Sequence, residues 1–230
     1  MSQNAPPVAT AASTRARPAA FLRWAGLAGI AYVVLFVVGL IVMMNGLPDS
    51  SAPPDEVRRY YADGGNRDHI HIGFLLILIG VFFLVWFLGA LREVVRRLAG
   101  DGLLTTVTTV GGAVYAATTL VAFSLDEAIY TMSDDTYRHT VYPGLIHAAN
   151  DSGYVIHSAG GAALGAAIVA VSLAALGARA LPAWLGWVSV VAGLVVIFSI
   201  FFFPWFVIAI WLVVASVLVT RALGRPTPAV

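Results

Sequence analysis

His147, Asn150, Tyr154 and His157 follow one another at offsets of three, seven and ten residues. On a helix starting near Gly144 these offsets share one face, so they form a polar stripe bordered by Asp151, one turn from His147. Asp126 and Glu127 close an apolar run that also carries Thr118, Thr119 and Ser124. Together these residues describe a polar pocket. His147, Asp151, Tyr154 and Ser124 are its candidate binding groups. His147 and His157 are candidate ligands for a metal or a haem iron, because neutral imidazole is the commonest ligand type. Asp126, Glu127 and His157 are the candidate catalytic groups: a partly desolvated carboxyl as general acid, His157 as base, and Ser124 as the nearby hydroxyl.

A plainer role competes with each. His157 sits about one turn inside an apolar run, where an ionisable group marks a functional site by default. It would serve equally as an interhelical hydrogen-bonding group, to Tyr115 or Thr119. The zinc motifs His-Glu-x-x-His and His-x-x-x-His are absent, as is the Gly-x-Ser-x-Gly elbow of hydrolases. His69 and His71 are two apart and point to nearly opposite sides of a helix. The chain has no cysteine, which excludes disulfides, thiolate metal sites and cysteine nucleophiles.

The elements that must position these groups are helices in a membrane. Of 230 residues, 60% are hydrophobic and 11% charged, with mean hydropathy +0.87. A soluble domain carries about 25% charged residues, and a disordered chain needs low hydrophobicity. Both classes are excluded. The composition predicts an all-α polytopic membrane protein. Apolar runs at 24–44, 70–91, 103–125, 153–177, 184–202 and 204–221 are each near the ~20 residues a crossing requires, which gives a six-helix transmembrane bundle over residues 21–225. The first run exceeds the roughly 7–15 residues of a signal-peptide core and reads as an uncleaved anchor. Residues 1–20 read as a disordered cytosolic tail, and 226–230 as a second short one. The stretch 184–221 has no charge before Arg221; Pro204 divides it, with Trp205 at the interface.

Charge orients the runs. Loops on one side hold Arg15, Arg17, Arg23, Arg92, Arg96, Arg97, Arg179, Arg221 and Arg225 against Glu93 and Asp101. The other side holds Arg58, Arg59, Arg67 and Arg138 against Asp49, Asp55, Glu56, Asp63, Asp68, Asp126, Glu127, Asp134, Asp135 and Asp151, with all five histidines, His139 included. The arginine-rich side is cytoplasmic by the positive-inside rule, which puts both termini inside and the polar pocket outside. No basic face of the kind that binds nucleic acid exists. The runs hold almost no charge with which to relay an ion, so a transporter or channel is disfavoured.

Two outer loops are long, 45–69 and 126–152. In the first, Ser51, Pro53, Pro54, Asp55 and Glu56 punctuate a helix start and Gly64-Gly65 its end. Val57, Tyr60 and Tyr61 share one side of that short interfacial helix. The second carries Tyr130, Met132, Tyr137 and Tyr142, enough to fold back over the bundle. Gly111-Gly112 and Gly160-Gly161 with Gly165 offer small surfaces for helix packing; Gly161 and Gly165 would also serve a homodimer.

Three segments carry a resemblance: Arg59-Tyr60-Tyr61-Ala62-Asp63 running into Asn66-Arg67; Leu91-Arg92-Glu93 with Arg96-Arg97; and Leu181-Pro182-Ala183-Trp184-Leu185-Gly186-Trp187. On these, the chain from about Ala20 to Arg225 resembles a family of uncharacterised bacterial six-span integral membrane proteins, grouped as a domain of unknown function. The resemblance implies the topology and a bacterial plasma membrane, and carries over no reaction and no functional residue. The expected role is a binding or accessory membrane protein with an outward-facing polar pocket for a lipid-like ligand. The alternatives are a membrane enzyme acting on a lipid or isoprenoid, or a His-ligated metal or haem site.

Overall fold

The computed structural model describes residues 17–49, 51–136 and 142–223. The described residues form seven α-helices: α1 Arg17–Met43, α2 Pro54–Ala62, α3 Gly64–Ala99, α4 Leu103–Thr131, α5 Pro143–Gly177, α6 Ala183–Val196 and α7 Pro204–Leu223. The part of the expected tail from Arg17 onward is helical. The rest of both expected tails, and Tyr137, Arg138 and His139, lie outside the described residues.

Five helices, α1, α3, α4, α5 and α7, are long and apolar enough to cross a membrane. Their outer faces carry exposed Ile41, Phe82, Trp86, Val121, Ile210 and many similar side chains. In water such a surface would aggregate; in lipid it is the solvated side. By helix length and hydropathy this is a multi-pass membrane protein.

The sixth expected run departs from its prediction. Helix α6 has 14 residues, about 21 Å at ~1.5 Å per residue, short of the ~30 Å hydrocarbon core. After Val196 the chain tightens into a 3₁₀ turn at Ser199–Phe201. It then reverses at Phe202, which has φ 64° and ψ −46°. The Phe203 amide donates to the Phe201 carbonyl at 2.7 Å, so Phe202 is the centre of a γ-turn of the rare, strained kind. Pro204 then opens α7, where its missing amide costs nothing. Carbonyls released by the reversal are taken up by side chains. Trp205 Nε1 donates to Ser199 O at 3.1 Å, Ser158 donates to the same oxygen at 3.4 Å, and the Tyr154 hydroxyl donates to Ile200 O.

Small residues set the pairings, and all adjacent pairs are antiparallel. Gly39 of α1 meets Gly73 of α3; Gly111 and Gly153 bring α4 against α5; Gly165 of α5 meets Gly193 of α6; Gly26 and Gly29 of α1 meet Thr220 and Ser216 of α7. Helix α3 packs on α4, and α6 on α7. The ring α1–α3–α4–α5–α6–α7 therefore closes on itself, with the start of α1 beside the end of α7. Gly161 and Gly165 are both buried, against Val196 and Gly193 of α6 and Ser199 of the 3₁₀ turn. The homodimer drawn through them is corrected: their surface is used inside the bundle.

The expected outer loops are largely helical. Helix α2 forms where proposed, and its Val57, Tyr60 and Tyr61 are buried with Ile70, Ile129 and Ile146 in a small apolar cluster at that end of the bundle. Ser51 does not cap it; Pro53 is the N-cap residue. Gly64-Gly65 opens α3 rather than a loop, with the Asp63 carboxylate accepting from Asn66 N at 3.1 Å. Buried Arg67 fastens the cap. It donates to the carbonyls of Tyr61 at 2.9 Å and Ala62 at 3.2 Å and pairs with Asp134 at 2.9 Å. Helix α4 continues through Asp126 and Glu127 into a π-helical turn, Met132–Thr136.

Candidate functional site

Where α1 ends, α3 begins and α6 turns into α7, the ring is not filled. A cavity of about 270 Å³ remains. Leu40, Met43, Met44 and Leu47 wall one side and Ala122, Phe123 and Asp126 of α4 another. Asn150, Gly153, Tyr154 and His157 of α5 line a third, Phe202 and Trp205 a fourth, and Tyr61 of α2 and Ile70 of α3 complete the lining. Met44 is 58% exposed and Phe202 45%, so the lining reaches the protein surface at the end of α1 and at the α6–α7 turn. The walls are mostly apolar with a few convergent polar groups, the common form of a small-molecule site.

His157 closes the deep end and is buried. Its Nδ1 lies 3.3 Å from Thr119 Oγ1, across the α4–α5 contact. Four rings enclose the imidazole: Trp205 edge-on at 4.6 Å, Phe36 stacked at 5.5 Å, Tyr115 at 5.5 Å and Phe123 at 5.6 Å. Beyond it a second space of about 20 Å³ lies among Tyr32, Tyr115, Ile208 and Leu212. The Tyr32 and Tyr115 hydroxyls are 3.1 Å apart there. Tyr154 stacks on Trp205 at 5.8 Å while holding the Ile200 carbonyl, which ties the α6–α7 turn to the wall of the cavity.

Asp126 faces the same cavity beneath α2. Burial holds the Tyr61 phenol above its usual range, and the Asp126 carboxylate beside it pushes the same way; the Asn150 amide offers Tyr61 a partial offset. Burial also raises the neighbouring Tyr60 phenol.

The sequence-derived site residues separate into those that meet and those that do not. Asp126, Tyr154 and His157 line one cavity, joined by Asn150 of the same stripe. Glu127 is turned away: adjacent helical residues point about 100° apart, and Glu127 Oε1 contacts His71 Nδ1 at 2.7 Å, with His71 stacked on Tyr130 at 4.8 Å. Ser124 is exposed and donates to Leu120 O at 2.7 Å, so the proposed hydroxyl nucleophile faces out of the bundle. Asp151 is exposed and His147 half-buried, and neither lines the cavity. His147 and His157 stand ten residues apart on one continuous helix, about 15 Å along its axis, too far for one ion to take both. Among the described residues, no group of three or more His, Asp or Glu side chains is placed to hold a metal.

Sequence reasoning missed Phe36, Tyr61, Phe123 and Phe202, which have no polar spacing to mark them. It assigned Trp205 to the interface. The Pro204-Trp205 pair at a helix start, one turn from the reversal, was the available signal. Compared with protein-family models, curated proteins and solved structures, the chain matches none of them.

Proposed function

We propose that this protein is a six-crossing bacterial plasma-membrane protein, with both termini cytoplasmic, that binds one small amphiphile in the cavity between α1, α4, α5 and α7. The observation that carries the reading is that Asp126 of α4 and His157 of α5 open onto one largely apolar space. An apolar tail would lie against Leu40, Met43, Phe123 and Trp205, and a polar head near Asp126 and Asn150. A lining that reaches the surface at the end of α1 and at the α6–α7 turn suits a ligand already dissolved in the bilayer. The sixth crossing is assigned to α6 with its 3₁₀ turn, supported by the start of α1 lying beside the end of α7, an arrangement that needs an even number of passes. Orientation is supported by the sorting of arginines to one end. The resemblance to six-span bacterial proteins agrees with that threading.

The test is to purify the protein from its native membrane in mild detergent and extract it for mass spectrometry. Wild type should release one amphiphile in stoichiometric amount, and Asn150→Trp, which fills the cavity, should not. Identical extracts from both proteins would reject the reading. The enzymatic alternative draws on the same pairing of Asp126 and His157 but has lost Ser124. It requires His157→Ala to change the lipid composition of the cell.

A further inference from the structure

We infer that the ligand carries a cationic amine head, received by Asp126. This inference rests on reading the cavity as a ligand site. Its basis is a charge census of the walls. The α1 wall contributes Leu40, Met43, Met44 and Leu47; α3 contributes Ile70; the α6–α7 turn contributes Phe202 and Trp205. Helix α2 offers the Tyr61 phenol, and α5 offers Asn150, Tyr154 and His157. No arginine lines the space among the described residues. Arg67, the buried cation at this end of the bundle, is directed to the Tyr61 and Ala62 carbonyls and to Asp134. His71 is directed to Glu127. His157 Nδ1 is directed to Thr119 Oγ1. Asp126 thus forms no ion pair among the described residues.

A carboxyl drawn out of water without a counter-charge is costly to ionise, and an entering cation favours its ionised form. A phosphate or carboxylate head would find no arginine on these walls among the described residues. The remaining walls favour the same choice. Tyr61, Phe123 and Trp205 present π-systems, which attract ammonium groups, and the methionines and aliphatic side chains accept a hydrocarbon tail. An alcohol head is the neutral competitor, because it can hydrogen-bond Asp126 and Asn150 without charge.

Three probes with one tail separate these heads: octylamine, 1-octanol and octanoate, each titrated at pH 7 into the full-length protein in non-ionic detergent. Thermal stabilisation reports saturation and Kd. Octylammonium should bind about tenfold or more tightly than octanol, with octanoate weakest, as expected when one partner supplies the missing charge. Asp126→Asn should bring octylammonium to the level of octanol while octanol binding persists. Asp126→Glu, which keeps the charge, should retain the amine preference and guards against a fold defect in the neutral variant. Equal binding of octylammonium and octanol to wild type, or an amine preference that survives in Asp126→Asn, overturns the amine assignment and leaves the cavity reading standing. Absence of saturable binding by all three probes overturns both.

Discussion

The Nδ1 atom of His157 lies 3.3 Å from the Thr119 hydroxyl oxygen, and that hydroxyl donates its single proton to the Tyr115 carbonyl at 2.8 Å. With the threonine proton committed, the imidazole must be the donor. The tautomer follows from the network: hydrogen on Nδ1, lone pair on Nε2. Thr119→Val keeps the shape and removes the acceptor, leaving a buried N–H unpaired. The expected cost is about 1 kcal/mol, near the averages for buried and for membrane hydrogen bonds. Thermal denaturation in detergent measures it. ¹⁵N NMR of labelled histidine should show the His157 Nε2 unprotonated in wild type, and the opposite tautomer would contradict the network.

Arg67 is expected to hold the α2 cap in place. It joins the end of α2 to Asp134 through charge-assisted hydrogen bonds, which contribute about 1.5–3 kcal/mol each in the folded state. Arg67→Ala should expose α2 to proteolysis between 45 and 63 while the transmembrane helices stay resistant. Asp134→Asn should have a smaller effect, because the carbonyls of Tyr61 and Ala62 remain as acceptors. Equal protease resistance in wild type and Arg67→Ala would remove Arg67 from this role.

Two glycines should respond in opposite directions. A Cβ on Gly165 would come 2.5 Å from the Gly193 carbonyl oxygen, a backbone atom that cannot move aside. Gly165→Ala should therefore destabilise the α5–α6 contact by about 1–3 kcal/mol. Gly89 has nothing within 4 Å of the same position, and Gly89→Ala should stabilise α3 by roughly 0.5–1 kcal/mol through lost unfolded-state freedom. Melting temperatures of the two variants beside wild type decide the matter. A neutral Gly165→Ala would mean that α5 and α6 are not packed as described.

Alkali should loosen the cap. The Tyr61 phenol is held above the ordinary phenol value of about 10, first by burial and then by Asp126. The unfolded chain therefore loses this proton at lower pH than the folded one. The contribution of the neutral phenol is fully present below pH ~10 and falls as pH rises beyond it. Protease sensitivity of α2 should rise above that pH in wild type and rise less in Tyr61→Phe. The same response in both proteins would place the alkaline transition elsewhere.

Much of this architecture is legible in the chain. Arginines and acids mark the two ends, the apolar runs mark α1, α3, α4, α5 and α7, and Val57, Tyr60 and Tyr61 mark the buried face of α2. Hydropathy reports immersion in lipid, not helicity. It stops at Leu125 and resumes near Gly153, while the backbone stays helical to Thr131 and restarts at Pro143. Runs of Val, Ile and Phe hide the end of α6, because the γ-turn at Phe202 is made by backbone angles and leaves no signature in residue type. Asp126 and Glu127 are equivalent in composition, and only the rotation of α4 turns one to the cavity and the other to His71. Apolar walls such as Phe36 and Phe123 become site residues only once helices from distant parts of the chain meet.

The absence of cysteine makes the central claim directly measurable, since any introduced thiol is unique. Asn150→Cys lies in the cavity, and Asp101→Cys lies between α3 and α4 at the opposite end of the bundle. Each is exposed to a small membrane-impermeant thiol reagent on intact cells. The 150 thiol should react from outside and be protected by saturating octylammonium, and the 101 thiol should react only after the cells are opened. The reverse pattern would contradict the threading, and a 150 thiol that reacts at the same rate with and without amphiphile would contradict the ligand cavity.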